Sequence, residues 1–145
     1  MRIASIAFLG FFLLPGTTWH TDFEHARKEA SENHRYIMVN FSESDWCKPC
    51  IRMNKEIFES AEFREYAAEN LVLVNADFPQ KKKNQLPQEQ CAKNESLAAQ
   101  YNPQRIFPYT VLLDDHGKLI AAWKGFPEIQ PSEFIAQVRK CKGGR

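Results

Sequence analysis

Two cysteines separated by two residues are the groups in this sequence best suited to chemistry. Cys47 and Cys50 enclose the dipeptide Lys48-Pro49. Cysteines three apart at the start of a helix lie on one side of it, close enough to form a disulfide. The first faces the free amides and positive end of the helix dipole, which favours its thiolate, and Lys48 adds a nearby cation. The pattern therefore predicts disulfide exchange, in which Cys47 attacks and Cys50 resolves.

Two other interpretations of the pair are a zinc site and a purely structural disulfide. A C-x-x-C pair is half of a tetrahedral zinc site and needs two further ligands. The remaining candidates show no paired spacing; they are Cys91, Cys141, His20, His25, His34 and His116. A structural disulfide is disfavoured because the start of a helix promotes thiol reactivity. We therefore predict no metal site and no bound cofactor other than the redox-active cysteine pair.

The elements that must position the pair follow from the hydrophobic pattern. The segment 36–41 is apolar on both faces and predicts a central strand just before the motif. The motif itself begins a helix, and Pro49 is tolerated in its first turn. Strands are predicted at 36–41, 71–76, 109–113 and 119–123, and helices at 21–33, 47–58, 60–70, 87–101 and from 131 through 138. This order predicts an α/β fold with a mixed four-stranded sheet and helices on both faces.

Local signals support several of these boundaries. Thr21 and Glu24 have the spacing of a capping box at the start of the first helix. Ser60 is placed to cap the short helix that follows the motif. Between the last two strands, Asp114-Asp115-His116-Gly117-Lys118 predicts a hairpin turn, with Gly117 where a positive φ is easily adopted.

Composition limits the class of protein. The chain has 145 residues, 43% of them apolar, and 19 Lys and Arg against 18 Asp and Glu. These values predict one globular domain with a core and exclude a multi-pass membrane protein. A formal charge of +1 argues against a nucleic-acid-binding protein, which needs a basic surplus.

The first residues have the pattern of an export signal. Arg2 is followed by twelve uncharged residues and then by Pro15-Gly16, and this run is too short to span a membrane. We predict a signal peptide at residues 1–18 and a mature domain at 19–145. Export to the periplasm is expected, where disulfides can form. Secretion, or retention at the membrane by an uncleaved leader, remains the alternative.

Several segments carry a resemblance to a known family. Trp46-Cys47-Lys48-Pro49-Cys50, the strand before it and Phe107-Pro108-Tyr109 resemble the thioredoxin family over roughly residues 19–140. The segments 41–47 and 77–82 are similar to a branch of exported bacterial proteins, the DsbH-type periplasmic oxidoreductases. The resemblance implies a thioredoxin-like fold, Cys47 as nucleophile, Cys50 as resolving thiol, and a cis-proline at Pro108 that presents its backbone to the substrate.

The same resemblance implies an activity and its partners. Protein dithiols and disulfides are the expected substrates, and a separate redox partner, not identifiable from the sequence, is expected to recharge the pair. We expect a monomer with Trp46, Phe107 and Tyr109 beside the substrate groove. The Lys-Pro dipeptide favours net reduction. Net oxidation or isomerisation, and a redox-inert binding module, are the alternatives.

Two departures from the family pattern concern the cysteines. Thioredoxin keeps a buried aspartate on the strand before the motif, and Asn40 stands there in this sequence. Glu43, Asp45 or water are the candidates to replace its proton-accepting role. Cys91 and Cys141 match no motif, and the resemblance places their helices on opposite sheet faces. We expect them to remain free, with a bridge between them as the alternative.

Overall fold

A mixed five-stranded β-sheet forms the centre of the computed structural model, which describes residues 17–143. The strands are β1 (Trp19–His20), β2 (Tyr36–Ser42), β3 (Leu71–Asp77), β4 (Tyr109–Leu113) and β5 (Leu119–Lys124). Their order is β1-β3-β2-β4-β5. β3 runs parallel to β1 and β2, whereas β4 is antiparallel to β2 and β5. The leader predicted at residues 1–18 falls, apart from its last two residues, outside the described residues.

The sheet contains one strand more than the sequence predicts. The expectation of four strands is wrong because β1 has only two residues, too few to show the alternation by which a strand is recognised. Its existence depends on pairing with β3, in which Trp19 lies opposite Leu73 and His20 opposite Val74. The prediction of a central strand before the motif is confirmed, since β2 is the middle strand and every one of its residues is buried.

Helices cover both faces of this sheet, as predicted. They are α1 (Phe23–Asn33), α2 (Lys48–Arg52), α3 (Ala61–Asn70), α4 (Gln88–Tyr101) and α5 (Pro131–Lys142), with a π-helical segment at Met53–Phe58 and a 3₁₀ turn at Lys82–Asn84. Successive strand residues point to opposite faces. Val39 therefore joins the core with α1 and α4, whereas Met38 joins the core with α3, α5 and the π-helical segment. None of the helices within 17–143 is long and apolar enough to cross a membrane.

The cap of α1 differs by one residue from the prediction. Asp22, rather than Thr21, is the N-cap, and its Oδ1 accepts a hydrogen bond from the His25 N–H at 3.0 Å. Its Oδ2 lies 2.8 Å from Nζ of Lys93 on α4. Both residue types are good caps, so the local pattern does not separate them. The tertiary ion pair gives Asp22 a second partner.

The helix predicted over Cys47–Phe58 changes its hydrogen bonding midway. From Met53 onward the segment is π-helical, and the Glu59 N–H donates to the Asn54 carbonyl at 2.8 Å. A π turn inserts a residue and so rotates the apolar face. Ile57 is fully buried, whereas Ile51, in the α-helical part, is 45% exposed.

The hairpin turn predicted between β4 and β5 is present. Oδ1 of Asp114 accepts hydrogen bonds from the N–H groups of His116 and Lys118, both at 2.9 Å. Gly117 has a φ of +85°, the conformation for which glycine was expected.

Candidate active site

The two motif cysteines form a disulfide where the central strand gives way to a helix. Cys47 is the N-cap of α2 and Cys50 lies in its first turn, with 5.2 Å between their Cα atoms. The Cys50 N–H points at the Sγ of Cys47 across 3.3 Å. The helix start therefore directs a backbone donor at the first sulfur, as the sequence predicts.

The two sulfurs differ sharply in exposure. Cys47 is partly exposed, whereas Cys50 is 2% exposed and belongs to the core. Around Cys47 the surface is formed by Trp46, which is 58% exposed, and by the exposed Lys48 and Pro49. Only Cys47 offers its sulfur to a large partner.

The loop that contains Pro108, just before β4, lies next to Cys47. The Phe107–Pro108 peptide bond is cis, as the resemblance implied. The carbonyl oxygen of Phe107 lies 4.0 Å from the Cys47 Sγ. Pro108 itself is buried, and its carbonyl accepts a hydrogen bond from the Gly125 N–H at 2.8 Å. Tyr109 is half-buried and lies near the Phe41 ring, and the cavity that it lines includes neither Cys47 nor Cys50.

Asn102, which sequence reasoning did not single out, fixes the proline loop. It is 1% exposed; its Nδ2 donates to the Ile106 carbonyl at 2.9 Å and its Oδ1 accepts from the Ile106 N–H at 3.0 Å. The side chain thus satisfies both backbone groups of the residue before Phe107. In the sequence, an asparagine followed by Pro103 indicates only the end of a helix.

A cleft of about 450 Å³ lies beside the buried cysteine. Its lining includes Asn40, Cys50, Asn75 and Glu59. Asn40 is 5% exposed and its Oδ1 accepts a hydrogen bond from the Thr110 hydroxyl at 3.3 Å. The amide therefore occupies the place beside Cys50 that the resemblance assigns to an aspartate.

Asp45, one of the residues considered as a replacement base, is committed elsewhere. Its carboxylate accepts hydrogen bonds from the N–H groups of Gln80 and Lys81 at 2.9 and 2.8 Å and from Asn84 Nδ2 at 3.1 Å. These bonds, the one from Gln80 foremost, lower the pKa of Asp45. A carboxylate so stabilised is a poor proton acceptor, and its role is to hold the loop at residues 80–84. The carboxylate that lines the cleft together with Cys50 is that of Glu59.

The other two cysteines are free, as expected. Cys91 lies on α4, with its Sγ 3.5 Å from the Leu86 carbonyl oxygen. Cys141 lies on α5 and packs against the core on the opposite face of the sheet. The alternative of a bridge between Cys91 and Cys141 is excluded by this separation.

One group of residues with metal-ligand chemistry is present in the described part of the chain, and it lies away from the disulfide. It consists of His20, His25 and Glu29. The sequence carried one signal for it, since His25 and Glu29 are four apart on a helix and share a face. His20 could not be added without the strand that sequence analysis missed.

The fold and the paired cysteines define a class of protein. A family model described as a thioredoxin-like domain matches residues 23–142. The chain therefore belongs to the thioredoxin-like family, which confirms the predicted fold class.

Within that family the chain is similar to proteins named DsbH. It is 39% identical over 120 residues to the disulfide bond reductase DsbH of Chlamydia pneumoniae, covering 83% of this chain and 68% of the relative. A solved structure described as DsbH oxidoreductase matches with a TM-score of 0.83 and 31% identity, over 99% of this chain and 96% of the other. The resemblance to DsbH-type proteins is thereby confirmed.

Two further matches are more limited. The thioredoxin-related protein DsbJ of Chlamydia pneumoniae is 35% identical over 60 residues, which is 41% of this chain and 17% of that protein. A thioredoxin from Thermus thermophilus has a TM-score of 0.65 at 19% identity, over 89% of this chain and 91% of the other, and shows the shared fold alone.

Proposed function

We propose that this protein is an exported thiol–disulfide oxidoreductase whose main reaction is the reduction of protein disulfides. The observation that carries the proposal is the asymmetry of the pair: Cys47 is accessible at a helix start, and Cys50 is 2% exposed behind it. An accessible thiol can attack a protein disulfide, whereas a buried one can react only with a sulfur already held beside it. These positions suit Cys47 as nucleophile and Cys50 as resolving thiol.

The reaction begins with the reduced pair. The Cys47 thiolate attacks one sulfur of the substrate disulfide; that S–S bond breaks, the departing sulfur takes up a proton, and a mixed disulfide forms. Cys50, as thiolate after losing its proton, then attacks the Cys47 sulfur and releases the second substrate thiol. The substrate gains two electrons and two protons, and the protein is left with the Cys47–Cys50 disulfide. A dithiol partner must return the two electrons and two protons.

The surroundings of Cys47 favour its thiolate. The Cys50 N–H, 3.3 Å from the Cys47 sulfur, is placed to donate a hydrogen bond to a negative charge there. The helix dipole and the Lys48 cation act in the same direction. The Phe107 carbonyl and the cis-peptide at Pro108 form the opposite wall, against which an extended substrate segment can lie, with the exposed Trp46 as an apolar contact.

Net reduction is favoured over net oxidation by two observations. The similar protein from Chlamydia pneumoniae is named a disulfide bond reductase. The Lys48-Pro49 dipeptide lacks the histidine found in strongly oxidising relatives. Reduction potentials of related pairs span about −270 to −120 mV, and we place this pair in the reducing half of that range. We also propose that residues 1–18 direct export to the periplasm and that the domain acts as a monomer.

Turnover of insulin disulfides by single-cysteine variants tests the mechanism. Cys47→Ser is expected to abolish turnover, while Cys50→Ser also abolishes it but accumulates a mixed disulfide with the substrate. Cys91→Ser and Cys141→Ser are the matched controls and are expected to keep wild-type activity. Full activity of Cys47→Ser would overturn the assignment, and a pair that dithiothreitol cannot cycle would favour the redox-inert module.

The direction of the reaction requires a separate measurement. We expect equilibration in glutathione buffers, followed by alkylation and mass spectrometry of each cysteine, to give a potential nearer −270 than −120 mV. A potential near the upper value would favour the oxidase alternative. Amino-terminal sequencing of the protein from the periplasmic fraction tests export, with Trp19 expected as the first residue.

A further inference from the structure

The histidine–glutamate group lies on the face of the sheet opposite the disulfide helix. His20 is on β1, and His25 and Glu29 are one helical turn apart on α1. Because neighbouring strand residues point to opposite faces, Trp19 and His20 diverge. Trp19 contacts Phe58, with 5.0 Å between ring centroids, and lines the cleft beside Cys50. His20 turns instead toward α1.

The two imidazoles already lie at a distance close to that of two ligands in one coordination shell, and Glu29 contacts one of them. The Nδ1 atoms of His20 and His25 are 3.4 Å apart, and the His20 Nε2 is 2.9 Å from Glu29 Oε2. One ligand atom from each of the three lies within 4.8 Å of the other two. Ligand atoms around a tetrahedral zinc ion, with bonds of about 2.0–2.1 Å, are about 3.3–3.4 Å apart. The imidazole pair therefore has the spacing of one edge of that tetrahedron.

The remaining adjustment falls on the flexible member of the group. Glu29 Oε2 contacts Nε2 of His20, whereas His20 faces His25 through Nδ1. The carboxylate oxygen of Glu29 must therefore move if it is to bind the same ion as the two Nδ1 atoms. Its side chain is 38% exposed, which leaves room for a rotation about its own torsions. His20, with 17% side-chain exposure, is held in place by its strand.

We propose that His20, His25 and Glu29 bind a divalent zinc ion, with a water molecule in the fourth position. Two imidazoles and one carboxylate form a donor set that suits zinc and leaves one site open. The ligands come from β1 and α1, so the ion ties the two-residue strand to the first helix. Its role is to fix the amino-terminal edge of the sheet, and it takes no part in the disulfide chemistry.

Zinc binding is measured on the full chain with the Cys47–Cys50 disulfide closed and with Cys91→Ser and Cys141→Ser present, so that no thiol competes. Isothermal titration with Zn²⁺ alone at pH 7.5 is expected to give one ion per chain. His25→Ala and Glu29→Gln are expected to weaken binding by at least about tenfold. Both residues are at the surface, so these variants are expected to fold. Substitution with Co²⁺ is expected to give the visible bands of a four-coordinate ion.

The matched controls are His34→Ala and His116→Ala, which remove histidines whose side chains are 86% and 81% exposed. They are expected to bind Zn²⁺ as tightly as the parent. Zn²⁺ at a hundred times the Kd of the parent is expected to raise Tm by about 10 °C in the parent and by no more than about 5 °C in His25→Ala. Absence of binding, or binding lost in the controls but kept in His25→Ala, would overturn the proposal. Because the disulfide stays closed, neither result bears on the proposed reductase activity.

Discussion

Replacement of Asn40 by aspartate tests whether the cleft beside Cys50 is a low-dielectric environment. Asn40 is 5% exposed and accepts a hydrogen bond from Thr110, which a carboxylate can also accept. Asn40→Asp therefore keeps the shape and the bond and adds an ionisable group. Burial disfavours the charged form of a carboxyl group and raises its pKa.

The size of the effect follows from the burial. Fully buried carboxyl groups reach pKa values of about 8–9, but the cleft is open to water, so we expect the new carboxyl to move from about 3.9 to about 6. Below about pH 4 the carboxyl is protonated in both the folded and the unfolded protein, so its ionisation does not change the stability of the variant. As the pH rises from about 4 through about 6, the unfolded state ionises more readily than the folded state and the variant loses stability. The loss above pH 7 is about 3 kcal/mol.

Urea denaturation at pH 4, 6 and 8 measures this loss against the wild-type protein. Asn75→Asp is the matched control, because Asn75 lies opposite Asn40 on the neighbouring strand, lines the same cleft and is only half-buried. We expect it to lose much less stability at pH 8. An unfolding free energy of Asn40→Asp that follows the wild type at all three pH values would refute the argument, as would equal losses in the two variants.

Three other substitutions probe the docking surface, the loop and the core. Trp46→Ala is expected to leave Tm unchanged, because the side chain is 58% exposed, but to slow turnover of insulin more than turnover of a small aromatic disulfide; equal slowing would contradict a docking role. Asp45→Ala is expected to speed amide exchange at residues 80–84, because the carboxylate accepts a hydrogen bond from the Gln80 N–H. In the wild type, the protection of these amides from exchange is expected to fall as the pH drops below 3.8 and through the lowered pKa of Asp45. Phe134→Ala is expected to reduce the unfolding free energy measured in urea by about 3–5 kcal/mol, since Phe134 is fully buried among aromatic rings. A free-energy loss as small as that of a surface substitution would contradict this prediction.

The features that sequence predicts well in this protein are those with a local cause. A run of apolar residues at 36–41 can be satisfied only by burial on both faces, and β2 is the fully buried central strand. Ser60 has a residue type that predicts a cap, and its hydroxyl accepts a hydrogen bond from the Phe63 N–H at 3.2 Å. The hairpin at Gly117 likewise follows from the conformational freedom of one residue.

Features that depend on contacts between distant segments escaped prediction. β1 is recognised only by its pairing with β3. The hydrogen bonds that Asn102 makes to the backbone of Ile106 form only where the chain turns back after α4. The sequence leaves Asp45 as one of the candidates, with Glu43 and water, to accept the proton. Its carboxylate is instead occupied by the loop that starts at Gln80, 35 residues away.

The sequence by itself predicted the chemistry of the pair: two thiols with two residues between them, after a buried strand and at a helix start, are expected to form a disulfide and to favour a thiolate at Cys47. Only the tertiary structure decided which sulfur a partner can reach, because exposure depends on what packs over each residue. It buried Cys50, set the Phe107 carbonyl 4.0 Å from the Cys47 sulfur and brought His20 to His25 and Glu29. Spacing along the chain fixes what neighbouring groups can do together, but long-range packing fixes which distant groups they meet.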